Sequence, residues 1–149
     1  MKKYLILIVI TLTIITSCQK DDFCIDPVTP NLIIRFYDNN NPDEYKAVSG
    51  LTVWADEREE IYSNVSTDSI AIPLDPAKDF TLYHLTSSNG EDTITIDYLR
   101  NEIFVSRSCG YTYNFTELEL NSVTNNWIIN TEITNETVEN ETEHIKILH

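Results

Sequence analysis

Apolar residues in this chain recur at every second position, in short runs separated by turn residues, and that period constrains the fold more than any other feature. A period of two places alternate side chains on opposite faces of an extended strand, whereas a helix would need a period near 3.6. Leu32, Ile34 and Phe36 share one face of a first strand, with Ile33, Arg35 and Tyr37 on the other. Leu51, Val53 and Ala55 alternate with Thr52 and Trp54, and Ile70, Ile72 and Leu74 repeat the pattern. Pro73 and Pro76 end that third run, which places it at a sheet edge, because proline donates no ladder hydrogen bond.

Further runs follow. Phe80–Leu85 and Thr93–Tyr98 flank Asn89-Gly90, a pair that accepts the positive φ angles of a tight hairpin turn. If one register holds from Ile103 to Phe115, then Ile103, Val105, Arg107, Cys109, Tyr111, Tyr113 and Phe115 fall on one inner face. Arg107 interrupts the apolar set and calls for a twist, a bulge or an ion partner. Trp127, Ile129, Thr131 and Ile133 form another candidate strand, and His144 to Leu148 a last one, with the polar stretch Asn135–Glu143 looping between them. Eight or nine short strands, no amphipathic helix and no internal repeat predict an all-β fold. The expected form is a single antiparallel β-sandwich, Ig-like or transthyretin-like, with a small barrel as the alternative. The domain is expected over residues 27–149, introduced by Pro27 and Pro30.

The residues before the domain carry an address. Met1, Lys2 and Lys3 precede an apolar stretch from Leu5 to Ile15. Such a stretch fits the core of an export signal and is too short to span a bilayer, which takes about 20 residues. It ends Ile15-Thr16-Ser17-Cys18, the aliphatic–small–small–Cys pattern that lipoprotein-processing enzymes read. Residues 1–17 are therefore expected to be removed and Cys18 to carry acyl chains such as palmitate. Each buried methylene contributes ~0.8 kcal/mol, so two or more chains hold a protein on a membrane. An ordinary secretory signal with a chance cysteine is the competing reading. Residues 18–26 read as a lipidated cysteine and polar tether, and Gln19, Lys20, Asp21 and Asp22 resemble the acidic tag that directs some Bacteroidetes lipoproteins to the cell surface. A plain solvated tether is the alternative.

Setting aside the two lysines of the leader, 24 acidic residues face 8 basic ones, a balance of −16. That excludes phosphate-backbone recognition, which needs a basic stripe, so nucleic acid is not an expected partner. It equally disfavours holding anionic lipid head groups by charge, which leaves membrane attachment to the lipid anchor. With Cys18 assigned to lipid, Cys24 and Cys109 remain, and an oxidising compartment joins such pairs. A bridge between them would close a loop of about 85 residues, worth ~4.5 kcal/mol in the chain-entropy picture. Two separate buried thiols are the alternative.

Thr29-Pro30-Asn31-Leu32-Ile33-Ile34-Arg35-Phe36-Tyr37-Asp38 and Arg107-Ser108-Cys109-Gly110-Tyr111 together resemble a family of uncharacterised Bacteroidetes lipoproteins. Its members pair a cysteine shortly before a Thr-Pro-x-Leu-Ile-Ile first strand with a late Cys-Gly-Tyr. The resemblance extends over nearly the whole mature chain, including the Trp127 strand and the His-Ile-Lys-Ile-Leu ending. It implies envelope location and a β fold, and carries no activity.

Chemistry-bearing residues are few. There is no Gly-x-Ser-x-Gly sequence, and His84, His144 and His149 are scattered. His84 alternates with Phe80 and Leu82, as a partly buried structural histidine does. No enzyme activity, cofactor or metal is expected. Asp38, Asn39, Asn41, Asp43 and Glu44 offer oxygen ligands of the kind calcium takes, but without EF-hand spacing, and turn chemistry explains them. Asp68-Ser69-Ile70 and Asp92-Thr93-Ile94 match a short pattern resembling Bacteroidetes O-glycosylation sites. Asn64, Asn114, Asn135 and Asn140 begin Asn-x-Ser/Thr triplets that reflect composition. The leading expectation is a lipid-anchored outer-membrane protein, exposed at the cell surface, that docks on or scaffolds other envelope proteins. The rival is a glycan- or calcium-binding module using Trp54 and Tyr37 as solvent-facing aromatics beside the acidic loop.

Overall fold

A computed structural model describes Cys24 and residues 29–149. The leader, Cys18, the Gln19–Asp22 tag, the tether and Pro27 lie outside these described residues. Among the described residues nine strands form two sheets: β1 (Leu32–Tyr37), β2 (Val48–Ala55), β3 (Glu60–Thr67), β4 (Ser69–Ile72), β5 (Phe80–Ser87), β6 (Gly90–Ser106), β7 (Gly110–Val123), β8 (Asn130–Ile133) and β9 (Glu143–Leu148). One sheet has the order β4-β1-β9-β8 and the other β3-β2-β5-β6-β7. Neither closes on itself, so the fold is a β-sandwich and not a barrel. Pairing is antiparallel throughout except between β1 and β9, which run parallel. That pair is possible because residues 38–142 separate the two strands, ample for a crossover.

The expected alternation fills the space between the sheets. Leu32, Ile34 and Phe36 meet Leu51, Val53, Tyr83, Leu85, Ile94 and Ile96, and all are essentially inaccessible to solvent. β4 lies at a sheet edge, as its two following prolines require. At that same edge of the sandwich, the Tyr62 hydroxyl bridges the sheets. It accepts from the Ala71 amide at 3.0 Å and donates to the Ala71 carbonyl at 3.3 Å, so β3 and β4 are joined without a continuous ladder.

Several expectations need correction. β3 was invisible to periodicity: it is a polar edge strand whose register with β2 slips three times, with Asn64 at φ 50°. The β5–β6 hairpin is tighter than the Asn-Gly pair suggested. Ser87 pairs with Gly90, so Ser88 and Asn89 form the tip and only Gly90 takes positive φ. The run from Ile103 to Phe115 is not one strand with one inner face. A turn at Arg107–Cys109 folds it into the end of β6 and the start of β7, and Arg107 is simply exposed there. Trp127, Ile129, Thr131 and Ile133 do not share a face either. Trp127 and Ile128 are both buried in the link before β8, while Ile129 faces solvent. Within the polar 132–143 stretch, Val138 is fully buried and pairs its backbone with Phe115.

His144 is fully buried on β9, the extra residue where the register with β1 shifts between Ile33 and Ile34, and its Nδ1 accepts the Ile33 amide at 3.0 Å. Burial pushes its pKa below the ordinary histidine value. A depressed folded pKa means that neutral His144 supports the fold fully above about pH 6.5 and progressively less as pH falls below it. Denaturant midpoints should therefore fall on acidification from pH 7 to 5, and His144→Asn, which keeps an acceptor but does not titrate, should flatten that dependence. An unchanged slope in the variant would remove His144 as its source.

Candidate functional site

One end of the sandwich is built from the start of β1, the ends of β2 and β4, and the starts of β3 and β5. There the β2–β3 turn and the 73–79 link enclose a cleft of about 350 Å³. Its floor is apolar, formed by Ile61, Leu74, Leu82 and the half-exposed Phe80. Arg58 and Lys78 bring positive charge to the rim, and Asp56 and Asp75 negative charge. Asp75 is already engaged: its carboxylate accepts the Ala77 amide at 2.8 Å and lies 3.5 Å from the Arg58 guanidinium. Lys78 sits over the Phe80 ring, 6.0 Å from its centroid.

Three hydroxyls make the 73–79 wall rigid. The Asp75 amide donates to Thr81 Oγ1 at 3.1 Å, Thr81 Oγ1 lies 2.6 Å from the Tyr98 hydroxyl, and that hydroxyl donates to the Asp75 carbonyl at 2.9 Å. Tyr83 donates to the Pro73 carbonyl, and Arg100 to the Pro76 carbonyl at 3.0 Å. Burial pushes the Tyr98 phenol above its usual pKa, so it stays protonated and able to donate. Tyr98→Phe should cost about 1–2 kcal/mol, since two partners lose a buried hydrogen bond. It should also speed amide exchange at Asp75 and Ala77 while leaving β1 and β9 protected. Uniformly altered exchange would show a global effect instead.

Sequence reasoning missed this cleft because half of its frame, the turn into β3, belongs to the strand that periodicity did not reveal. The candidates it did raise lie elsewhere. His84 and Trp54 are cross-strand neighbours stacked face to face with centroids 4.9 Å apart, and His84 Nδ1 lies 2.9 Å from Glu91. Tyr37 is not solvent-facing: the 38–47 loop folds over it, Tyr45 packs at 4.9 Å, and Lys146 sits 4.4 Å above its ring. Asp38 works within its own turn, Oδ1 accepting the Asn40 amide at 3.1 Å and the Lys46 ammonium at 3.3 Å. The backbone bond from Asn40 holds its pKa below the usual value, against the opposing effect of burial, with Lys46 adding to the lowering. Among the described residues no group of three or more His, Cys, Asp and Glu is placed to hold a metal ion.

The residues of the other motifs lie in strands and turns. Ser69 has its backbone amide and carbonyl tied to Thr67 Oγ1. Asp92 is fully buried and receives hydrogen bonds from four donors. Asn135 and Asn140 accept the Thr137 and Thr142 amides, each at 3.0 Å, so their triplets shape turns. Asn64 marks the β3 irregularity and Asn114 lies within β7. His149 is half-buried, its Nε2 3.0 Å from the Lys46 carbonyl.

Cys24 and Cys109 form a disulfide with Cα atoms 5.0 Å apart. Cys109 is in the β6–β7 turn and not on an inner face. Thr29 touches the same hairpin, its Oγ1 3.2 Å from Thr112 Oγ1 and 3.3 Å from the Tyr113 amide. The start of the domain is thus fastened to the cleft end of the sandwich.

A nine-stranded, disulfide-linked β-sandwich with a preformed cleft at the end where its N-terminal segment attaches is the class this architecture defines. Residues 50–149 match a family of unknown function, DUF6452, and the chain belongs to that family. Neither a curated protein nor a solved structure matches it.

Proposed function

We propose that the chain is a lipid-anchored envelope protein, held through acyl chains on Cys18 in the outer membrane, displayed at the cell surface, and acting as a non-enzymatic interaction or scaffolding domain. The observation that carries this reading is the Cys24–Cys109 disulfide. It belongs to an oxidising compartment, and it lies six residues from the lipidation pattern, joining the domain to its tether by the end that holds the cleft. The cleft suits the docking role: its walls are fixed beforehand, its floor is apolar, and its charges of both signs favour an extended peptide segment of an envelope protein.

Detergent phase partition tests the anchor. The protein from cell membranes should enter the detergent phase, and Cys18→Ala should move it to the aqueous phase. Protease shaving of intact cells, with a periplasm-facing lipoprotein as protected control, tests display. Digestion supports a surface role for Gln19–Asp22, whereas protection until lysis would make those residues a tether and turn the search to periplasmic partners.

A glycan-binding reading stands second, favoured by the part-exposed Trp54–His84 stack with Glu91 and Asp56 beside it. Sugars bind aromatic faces flanked by carboxylates. Tryptophan emission that does not change across glycan titrations would remove it.

A further inference from the structure

The β6–β7 hairpin outgrows its sheet. β5 pairs with β6 only as far as Asp97, so from Tyr98 onward β7 is the sole strand partner of β6 among the described residues. Beyond Phe115, which Val138 covers, the arm continues for several residue pairs to the turn at Arg107–Cys109. Its surface is unlike that of the rest of the domain. Phe104 and Tyr111 are opposite each other, ring centroids 5.3 Å apart, and are 57% and 62% exposed. Ile103 and Val105 are half-exposed on the opposite face. Residues 103–114 contain one charge, the cation Arg107 at the tip, in a chain of net charge −14.

We propose that this arm is a membrane foot, whose tip enters the head-group layer of the leaflet that holds the acyl chains. The inference rests on the lipid-anchor reading above. Cys109 is bonded to Cys24, and Cys24 follows Cys18 by six residues, a span of at most about 20 Å when fully extended. The turn is therefore confined near the bilayer surface. Aromatic residues are enriched at that depth, where a ring meets both acyl and polar groups. Arg107 complements anionic lipid, while the acidic remainder of the domain is repelled and stands away. A two-point attachment of this kind fixes the cleft's height and tilt over the membrane, which acyl chains on a tether would leave free.

The test uses the full mature chain with Phe104→Trp on phosphatidylethanolamine–phosphatidylglycerol vesicles containing lipids brominated near the glycerol end. Intact mass and vesicle flotation first establish whether Cys18 is lipidated. If it is not, the anchor reading fails, and the chain is coupled through the Cys18 thiol to maleimide lipid so that the arm is still tested. The introduced indole should lose about half its emission, as expected for a side chain within about 5–10 Å of the head-group boundary. Trp54 and Trp127 in the unsubstituted protein should be unaffected, and Arg107→Glu added to the variant should reduce the quenching. An unquenched indole on protein that floats with the vesicles would overturn the proposal. So would shielding from aqueous iodide that needs no vesicles and grows with protein concentration, which would make the arm a contact between two copies.

Discussion

Asp92→Ala is expected to destabilise the domain by about 3–5 kcal/mol, a large fraction of the stability of a domain this size. Asp92 is at the end of the sandwich opposite the cleft, where the chain leaves β7 in one sheet to enter β8 in the other. Its Oδ1 accepts the Thr124 hydroxyl and the Asn126 amide, both at 2.7 Å, and its Oδ2 accepts the Trp127 and Ile128 amides at 2.8 and 2.9 Å. Those amides belong to an irregular crossing and have no ladder partner, so the carboxylate replaces one. The crossing in turn seats Trp127 in the core, its Nε1 donating to the Leu85 carbonyl at 3.1 Å and its ring 6.2 Å from Phe36. Alanine leaves three amides and a hydroxyl unsatisfied together, each worth about 1–3 kcal/mol when buried, with partial relief from entering water. Urea unfolding followed by circular dichroism measures the loss, and a change under 1 kcal/mol would show that the crossing does not depend on this group.

The same group predicts a pH signature. Burial raises the Asp92 pKa, but the Ile128, Asn126 and Trp127 amides and the Thr124 hydroxyl outweigh it and hold the folded value below 3.8. A depressed folded pKa gives stability that is complete above the unfolded value and is lost as pH falls through the folded one. Acid unfolding should therefore steepen below about pH 4, and Asp92→Asn, already weaker at neutral pH, should show less of that steepening.

Reducing the Cys24–Cys109 bond is expected to lower stability by about 2–4 kcal/mol, less than the ~4.5 kcal/mol that its 85-residue separation would give in full. The difference has a physical source. Loss of the bond frees the unfolded chain, but it also frees the segment before Thr29 in the folded state, which offsets part of the gain. Urea midpoints with and without reductant, and for Cys24→Ser and Cys109→Ser, measure it. The two variants should match each other and the reduced protein. A midpoint unmoved by reductant would mean that β pairing and the Thr29 contacts alone fasten the N-terminal segment.

Most strands were legible because one face of each sheet is buried and its alternation is strict: Leu32-Ile34-Phe36 and Ile94-Ile96-Tyr98 each name their own inner side. β3 was not legible, since an edge strand with slipped register buries too few residues to alternate. The long segment around Arg107 misled for a different reason. Two arms of a protruding hairpin share a parity when read straight through their turn, although Ile103 and Val105 lie on the opposite face from Tyr111, Tyr113 and Phe115, and of these only Phe115 is fully buried in the core. Tyr37 misled because an outward position was covered later by a loop from the same chain.

What the sequence by itself determined is the all-β class and the inward faces of β1, β2, β4 and the first half of β6, which depend on local periodicity; it offered Cys24 and Cys109 as a pair with two separate thiols as the alternative, and the structure joins them. The tertiary structure alone decided the parallel β1–β9 pair, the two sheets' strand order and the cleft. It also decided the role of Asp92, which sequence reading had seen only as part of a three-residue motif. Each of these joins residues tens of positions apart, and their meeting is selected by packing of the whole core rather than by any short stretch of chain.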